Sequence, residues 1–180
     1  MKLSKIKKVC TDALQLRVVD TCGQGNNMVH QWVGTQEALY PVEGMTLSEE
    51  MLKVLWELSD KQVAAIEEAP VYHDPAFLLD LPGLIDKDNV ERITLGQVAG
   101  YGALMCGEDG VVFVDPALMR PCGTWRQFVI VHDDKGPWVV VYDDGKLDAV
   151  VRPVKNELAG HLLAIAKAVA ARTVEERVEE

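Results

Sequence analysis

The stretch from Val111 to Val154 constrains this chain more than any other. It carries β-branched and aromatic runs at Val111–Val114, Phe128–Val131, Trp138–Tyr142 and Leu147–Val151. Such residues fit a pleated, half-buried surface, so each run reads as a strand. The last three strands are separated by DDKG and DDG, whose Asp and Gly residues suit a tight antiparallel reversal. Asp115-Pro116 offers a helix cap followed by a first-turn proline, which predicts a short helix through Met119. The pattern stops at Arg152-Pro153. One strand, a short helix and three antiparallel strands imply an α+β fold, with antiparallel sheets flanked by helices.

The remaining elements are sketched more faintly. Residues 2–16 fit an amphipathic helix, with Leu3, Ile6, Cys10, Ala13 and Leu14 on one face and Lys2, Lys5 and Lys8 on another. Leu16–Thr21 and Met28–Val33 read as strands around the turn-rich CGQGNN, and GTQEALYPV adds another ending at Pro41. Thr46 or Ser48 can cap the helix SEEMLKVLWELS, whose early glutamates suit the helix dipole. Its expected buried stripe is Met51, Leu52, Leu55 and Trp56, and a second short helix is expected at Asp60–Glu68. Residues 69–89 are irregular, because Pro70, Pro75 and Pro82 interrupt any long element. Strands are expected again at Val90–Leu95 and Gly102–Cys106, with GEDG as a hairpin turn. An Ala-rich helix runs from Asn156 to about Arg172 with Leu158, Leu162, Ile165 and Val169 on one face, before a charged tail. The expected organisation is one domain over 1–155, made of half-units near 1–68 and 90–155, followed by a C-terminal helix and tail over 156–180.

Composition narrows the functions. With 180 residues, 48% of them hydrophobic, the chain can bury a substantial core. No apolar run reaches the ~20 residues of a membrane-spanning helix. MKLSKIKKVC lacks the apolar core and cleavage site of a signal peptide, so a cytoplasmic location in a bacterial host, away from membranes, is expected. The formal net charge is −10, and residues 43–91 hold twelve acidic side chains against three lysines. Autonomous tight nucleic-acid binding normally needs a basic surface, which leaves only the lysine-bearing N-terminal helix for that role.

Residues able to carry chemistry have plainer explanations. Cys10, Cys22, Cys106 and Cys122 show no CxxC spacing and no His at zinc-finger distance, so they read as reduced structural thiols. CGQGNN lacks the lysine and the following helix of a phosphate-binding loop, and His30 lies on an apolar strand. Cys106 or Cys122 with His132 has no surrounding nucleophile signature. Asp133-Asp134 and Asp143-Asp144 are each followed by glycine within two residues and read as turns instead of cation sites. Trp32, Trp125 and Trp138 read as core or cross-strand aromatics. No catalytic residue, metal or cofactor is therefore expected.

Two resemblances add expectations. MKLSKIKKVC, QWVGTQEALYPV and EGM look like the start of a group of uncharacterised phage and prophage proteins of gut Firmicutes. Phe113–Pro121, Gly136–Val141 and Leu147–Pro153 resemble, in order of elements, the last half-repeat of a DNA sliding clamp. The chain departs from clamps in its helix, cut short at Pro121, and in the added helix from Asn156. The resemblance implies a clamp-like arrangement and a non-enzymatic protein that meets double-stranded DNA or a replication protein, as a homo-oligomer. Lys2, Lys5 and Lys8 would then contact phosphates without reading bases. The alternative is a protein-interaction or self-association module that uses Met51, Leu55 and Trp56, or the C-terminal helix.

Overall fold

The computed structural model describes residues 2–22, 29–67, 96–106, 110–123, 126–133, 136–143 and 146–178. Its elements are α1 (Lys2–Asp12), β1 (Arg17–Cys22), β2 (Val29–Gly34), β3 (Ala38–Val42), α2 (Glu49–Trp56), α3 (Asp60–Glu67), β4 (Gly96–Val98), β5 (Tyr101–Cys106), β6 (Gly110–Val114), β7 (Arg126–Asp133), β8 (Gly136–Asp143), β9 (Lys146–Val151) and α4 (Asn156–Val178). The α+β class is as expected. A six-stranded sheet runs β1-β2-β3-β9-β8-β7 and a three-stranded sheet runs β4-β5-β6, with every pairing antiparallel. None of the described helices is long and apolar enough to cross a membrane. The expected strand at Val90–Leu95, the irregular stretch 69–89, Trp125 and the CGQGNN and GEDG loops lie outside the described residues in whole or in part.

The large sheet joins both ends of the chain through β3 and β9, which pair Ala38 with Val151 and Leu39 with Val150. That short ladder explains how β3 tolerates Pro41. The proline lies beyond the residues paired to β9, so its missing N–H costs no bond there. Strand β8 is apolar on both faces because both are covered. Val139 and Val141 join Ile6, Val9, Cys10, Tyr40, Phe128 and Leu52 in one cluster. Trp138, Val140 and Tyr142 join Val19, Trp32, Leu39 and Val150 in the other, where the Arg152 guanidinium sits 4.3 Å from the Trp138 ring centre.

Five expectations change. Asp115–Met119 is not an α-helix. Leu118, Met119 and Arg120 each donate a backbone bond to the residue three before, making consecutive tight turns, while the Asp115 carboxylate accepts from the Ala117 N–H at 2.8 Å. The strand before these turns, β6, belongs to the smaller sheet, so the expected strand, helix and three strands do not share one sheet. In α2 the stripe is narrower than expected, since Leu52 is buried, Leu55 and Trp56 are half-buried and Met51 is exposed. On α4 only Leu162 of the described stripe is buried, while Leu158 and Ile165 are exposed.

The fifth change is at the end of α1. The helix stops at Asp12, and Leu14 is 91% exposed with φ +52°. Gln15 N–H bonds to Cys10 O at 3.0 Å and Leu14 N–H to Thr11 O at 3.1 Å, the bond pair of a Schellman cap. That cap places a left-handed residue where glycine is normally found, and a leucine there costs about 1 kcal/mol. Leu14→Gly is therefore expected to stabilise the protein by about 1 kcal/mol in urea denaturation, with no loss of buried contact. A destabilised variant would show that Leu14 packs against something in solution.

Candidate binding cleft

Helix α1 forms because its apolar residues recur at helical spacing, and it buries Ile6, Val9 and Cys10 against the large sheet. Its lysines do not make one free basic row. Lys2 Nζ donates to the backbone oxygen of Asp148 at 2.8 Å and ion-pairs with the Asp148 carboxylate. Lys7 Nζ lies 2.8 Å from Glu57 Oε1, and the hydrogen bond and charge of Lys7 hold that carboxyl below its ordinary pKa. Lys8 is 3.9 Å from Asp12 on its own helix. Lys5 is exposed. Of the three lysines expected to meet phosphate, one is thus tied into the fold and two project outward.

Helix α2 is positioned by its caps. The Ser48 hydroxyl oxygen accepts from Met51 N–H at 3.3 Å, and Glu57 closes the other end in a left-handed conformation with its N–H on Lys53 O. The loop before it is stapled by buried Gln31, whose side-chain oxygen accepts from Leu47 N–H at 2.7 Å and whose amide nitrogen donates to Leu47 O at 3.3 Å. The half-buried Lys53 ammonium lies 2.7 Å from Glu49 and 3.0 Å from Asp60, linking α2 to the start of α3.

Between α1, the end of β3 and α2 lies a cleft of about 450 Å³. Its apolar lining includes Leu3, Ile6, Pro41, Val42, Met45, Leu55 and Trp56, with Lys2, Lys7 and Glu43 among the polar residues. The volume falls in the range of ligand-sized pockets. Leu55 and Trp56, expected to bind a partner, meet here. Met51 does not line the cleft, but it stands one turn before Leu55 on α2. Met51 is 40% exposed and its neighbour Val54 78%, so apolar surface continues past the cleft along the helix. The strand-end residues Pro41, Val42 and Met45 were missing from the sequence-based set. Their one signal was apolar character persisting beyond the strand, through PVEGM.

The buried thiol and phenol of this core stay protonated near neutral pH. Burial pushes the Cys10 thiol up to about 11, against smaller opposing effects of the Trp56 indole and a backbone bond. Cys10 therefore stays a protonated thiol near neutral pH, and it donates to Gly34 O at 3.3 Å. The buried Trp56 Nε1 has no hydrogen-bond partner among the described residues. Tyr40 donates to Leu118 O at 2.6 Å, and burial raises its pKa far above the ordinary tyrosine value. Cys122 is buried with Met119 and Phe128 in the core, whereas the side chains of Cys22, Cys106, His30 and His132 lie outside the described set. Among the described residues no three His, Cys, Asp or Glu side chains converge to hold a metal. Comparison of the chain with protein-family models, curated proteins and solved structures finds no match.

Proposed function

We propose that this chain is a protein-interaction module that receives an amphipathic helix from another polypeptide in the cleft between α1 and α2. The observation that carries this reading is the continuity of the apolar cleft with exposed Met51 and Val54. A small molecule could fill the cleft but would leave that strip in water. A helix with apolar side chains at three- and four-residue spacing covers both. Lys7 at the cleft favours an acidic residue flanking the apolar stripe of the partner, because the exposed Lys7–Glu57 pair can exchange at little cost. The test is selection from a displayed library of amphipathic helices, followed by amide shift mapping with the selected peptide. Shifts should cluster at α1, residues 41–45 and α2, and Val54→Glu should weaken binding at least ~10-fold, since an apolar contact beside the cleft becomes a charge facing the partner's apolar stripe. Shifts centred elsewhere, or binding indifferent to Val54→Glu, would sink the reading.

A clamp-like protein that meets DNA or a replication protein is the second reading. It is favoured by one observation, a helix with outward Lys5 and Lys8 laid across an antiparallel sheet. Lys2→Glu is a poor probe, because it also breaks the pair with Asp148. Lys5→Glu with Lys8→Glu is the clean variant. The clamp reading expects duplex DNA affinity that falls steeply with salt and is lost in this double variant. Undetectable affinity at low salt ends it.

A further inference from the structure

Six large apolar side chains are exposed among the described residues. Met45, Met51 and Val54 line the cleft or continue it along α2, and Leu14 caps α1. The remaining two, Leu158 and Ile165, lie on α4. Their spacing is nearly two helical turns, so they share one face of the helix, about 10 Å apart. His161 and Ala168 fall on that face and are exposed as well. Helix α4 lies against β4 and β6 and buries Leu162, which leaves this other face open. Glu157, also exposed, stands beside Leu158 at the start of the helix. The chain thus carries a cleft suited to a helix with an acidic residue flanking its apolar stripe, and it also carries a helix of that description.

We infer that the helix seated in the cleft is α4 of a second copy of this chain, exchanged reciprocally about a two-fold axis; the inference rests on the cleft reading above. Charge sets the direction of the seated helix. Lys7 lies at the end of α2 that Glu57 closes, whereas Glu49 and Glu50 are exposed at its start. With α4 antiparallel to α2, Glu157 comes to Lys7. Leu158 then enters the cleft beside Leu55 and Trp56, and Ile165 covers Met51 and Val54. Run parallel, α4 would bring Glu157 to Glu49 and Glu50, where like charges oppose it. The Lys7–Glu57 pair is exposed, so trading Glu57 for Glu157 costs little. Each copy gives one helix and receives one, and both apolar strips leave water.

Sedimentation velocity of the full chain over a dilution series tests this. A reversible monomer–dimer equilibrium is expected. Val54→Glu and Ile165→Lys, both at exposed positions, should each weaken it at least ~10-fold, because a charge then faces an apolar surface. Mixing the two variants should restore association, since one seat of the mixed dimer is unaltered and the other sets a glutamate against a lysine. Glu157→Lys should weaken the dimer and adding Lys7→Glu should recover it, which checks the direction of the helix. A dimer indifferent to Ile165→Lys overturns the inference, as does failure of either rescue. A monomer at every concentration overturns it too, and leaves the cleft reading standing if a helix selected from the displayed library still binds with shifts at α1 and α2.

Discussion

Gly34→Ala should destabilise the protein by about 3 kcal/mol or more, enough to unfold a marginally stable domain. Gly34 ends β2, and a Cβ there would run into the backbone oxygen of Ala38, with Ala38 C at 2.9 Å and Leu39 Cα at 3.0 Å. These are main-chain atoms of a buried strand, so no side chain can swing aside. The Ala38 oxygen already accepts from Thr35 N–H at 2.7 Å, while the Thr35 hydroxyl accepts from Glu37 and Ala38 N–H at 3.1 and 3.2 Å. Opening the hairpin to admit a methyl group therefore breaks the bonds that close it. It also withdraws Gly34 O from the Cys10 thiol, loosening α1. Urea denaturation gives the number. A loss below about 1 kcal/mol would mean that the hairpin relaxes at little cost.

Strands were legible in the sequence wherever burial made composition decisive. The Trp138–Tyr142 run must be covered on both faces, and it forms the middle of β8. Ser48 announced its helix because a hydroxyl followed by two glutamates satisfies the first turn's N–H groups and dipole together. The misses have physical causes. Nothing local marks Leu14 as a left-handed cap, since leucine is a poor choice there, and helical spacing placed it on the α1 stripe. Asp115-Pro116 carries a true capping signal, but only four residues separate Pro116 from Pro121, so the chain makes tight turns instead of α-helical bonds. The pairing of Ala38 with Val151 joins residues far apart in sequence, and periodicity says nothing about which strands become neighbours. The cleft draws on α1, β3 and α2 at once, so the sequence could supply Leu55 and Trp56 without revealing what faces them.

Asp148→Ala should cost about 2–3 kcal/mol in urea denaturation and should also weaken binding at the cleft. Counting back from Val150 and Ala149, strand alternation would send Asp148 to the face of Val150. Instead, β8 pairs Val141 with Ala149 and Tyr142 with Leu147, which leaves Asp148 as the extra residue of a bulge. The bulge frees its carboxylate to accept from Gly123 N–H at 2.7 Å and to hold the Lys2 ammonium. One side chain thereby ties β9 to the 115–123 turns and to the first turn of α1. Alanine leaves the Gly123 donor partly buried without that acceptor and Lys2 without its counter-charge. Lys2 can recover hydration because its side chain is 28% exposed, which keeps the expected loss below that of a fully buried pair. Asp148→Asn retains an acceptor for Gly123 and should cost about half as much. Lys2 and Leu3 line the cleft, so freeing the start of α1 should lower affinity for a selected helix even where most molecules remain folded. An alanine variant within about 0.5 kcal/mol of wild type would show that the bulge does not anchor α1. Stability lost without any change in affinity would separate the anchor from the cleft.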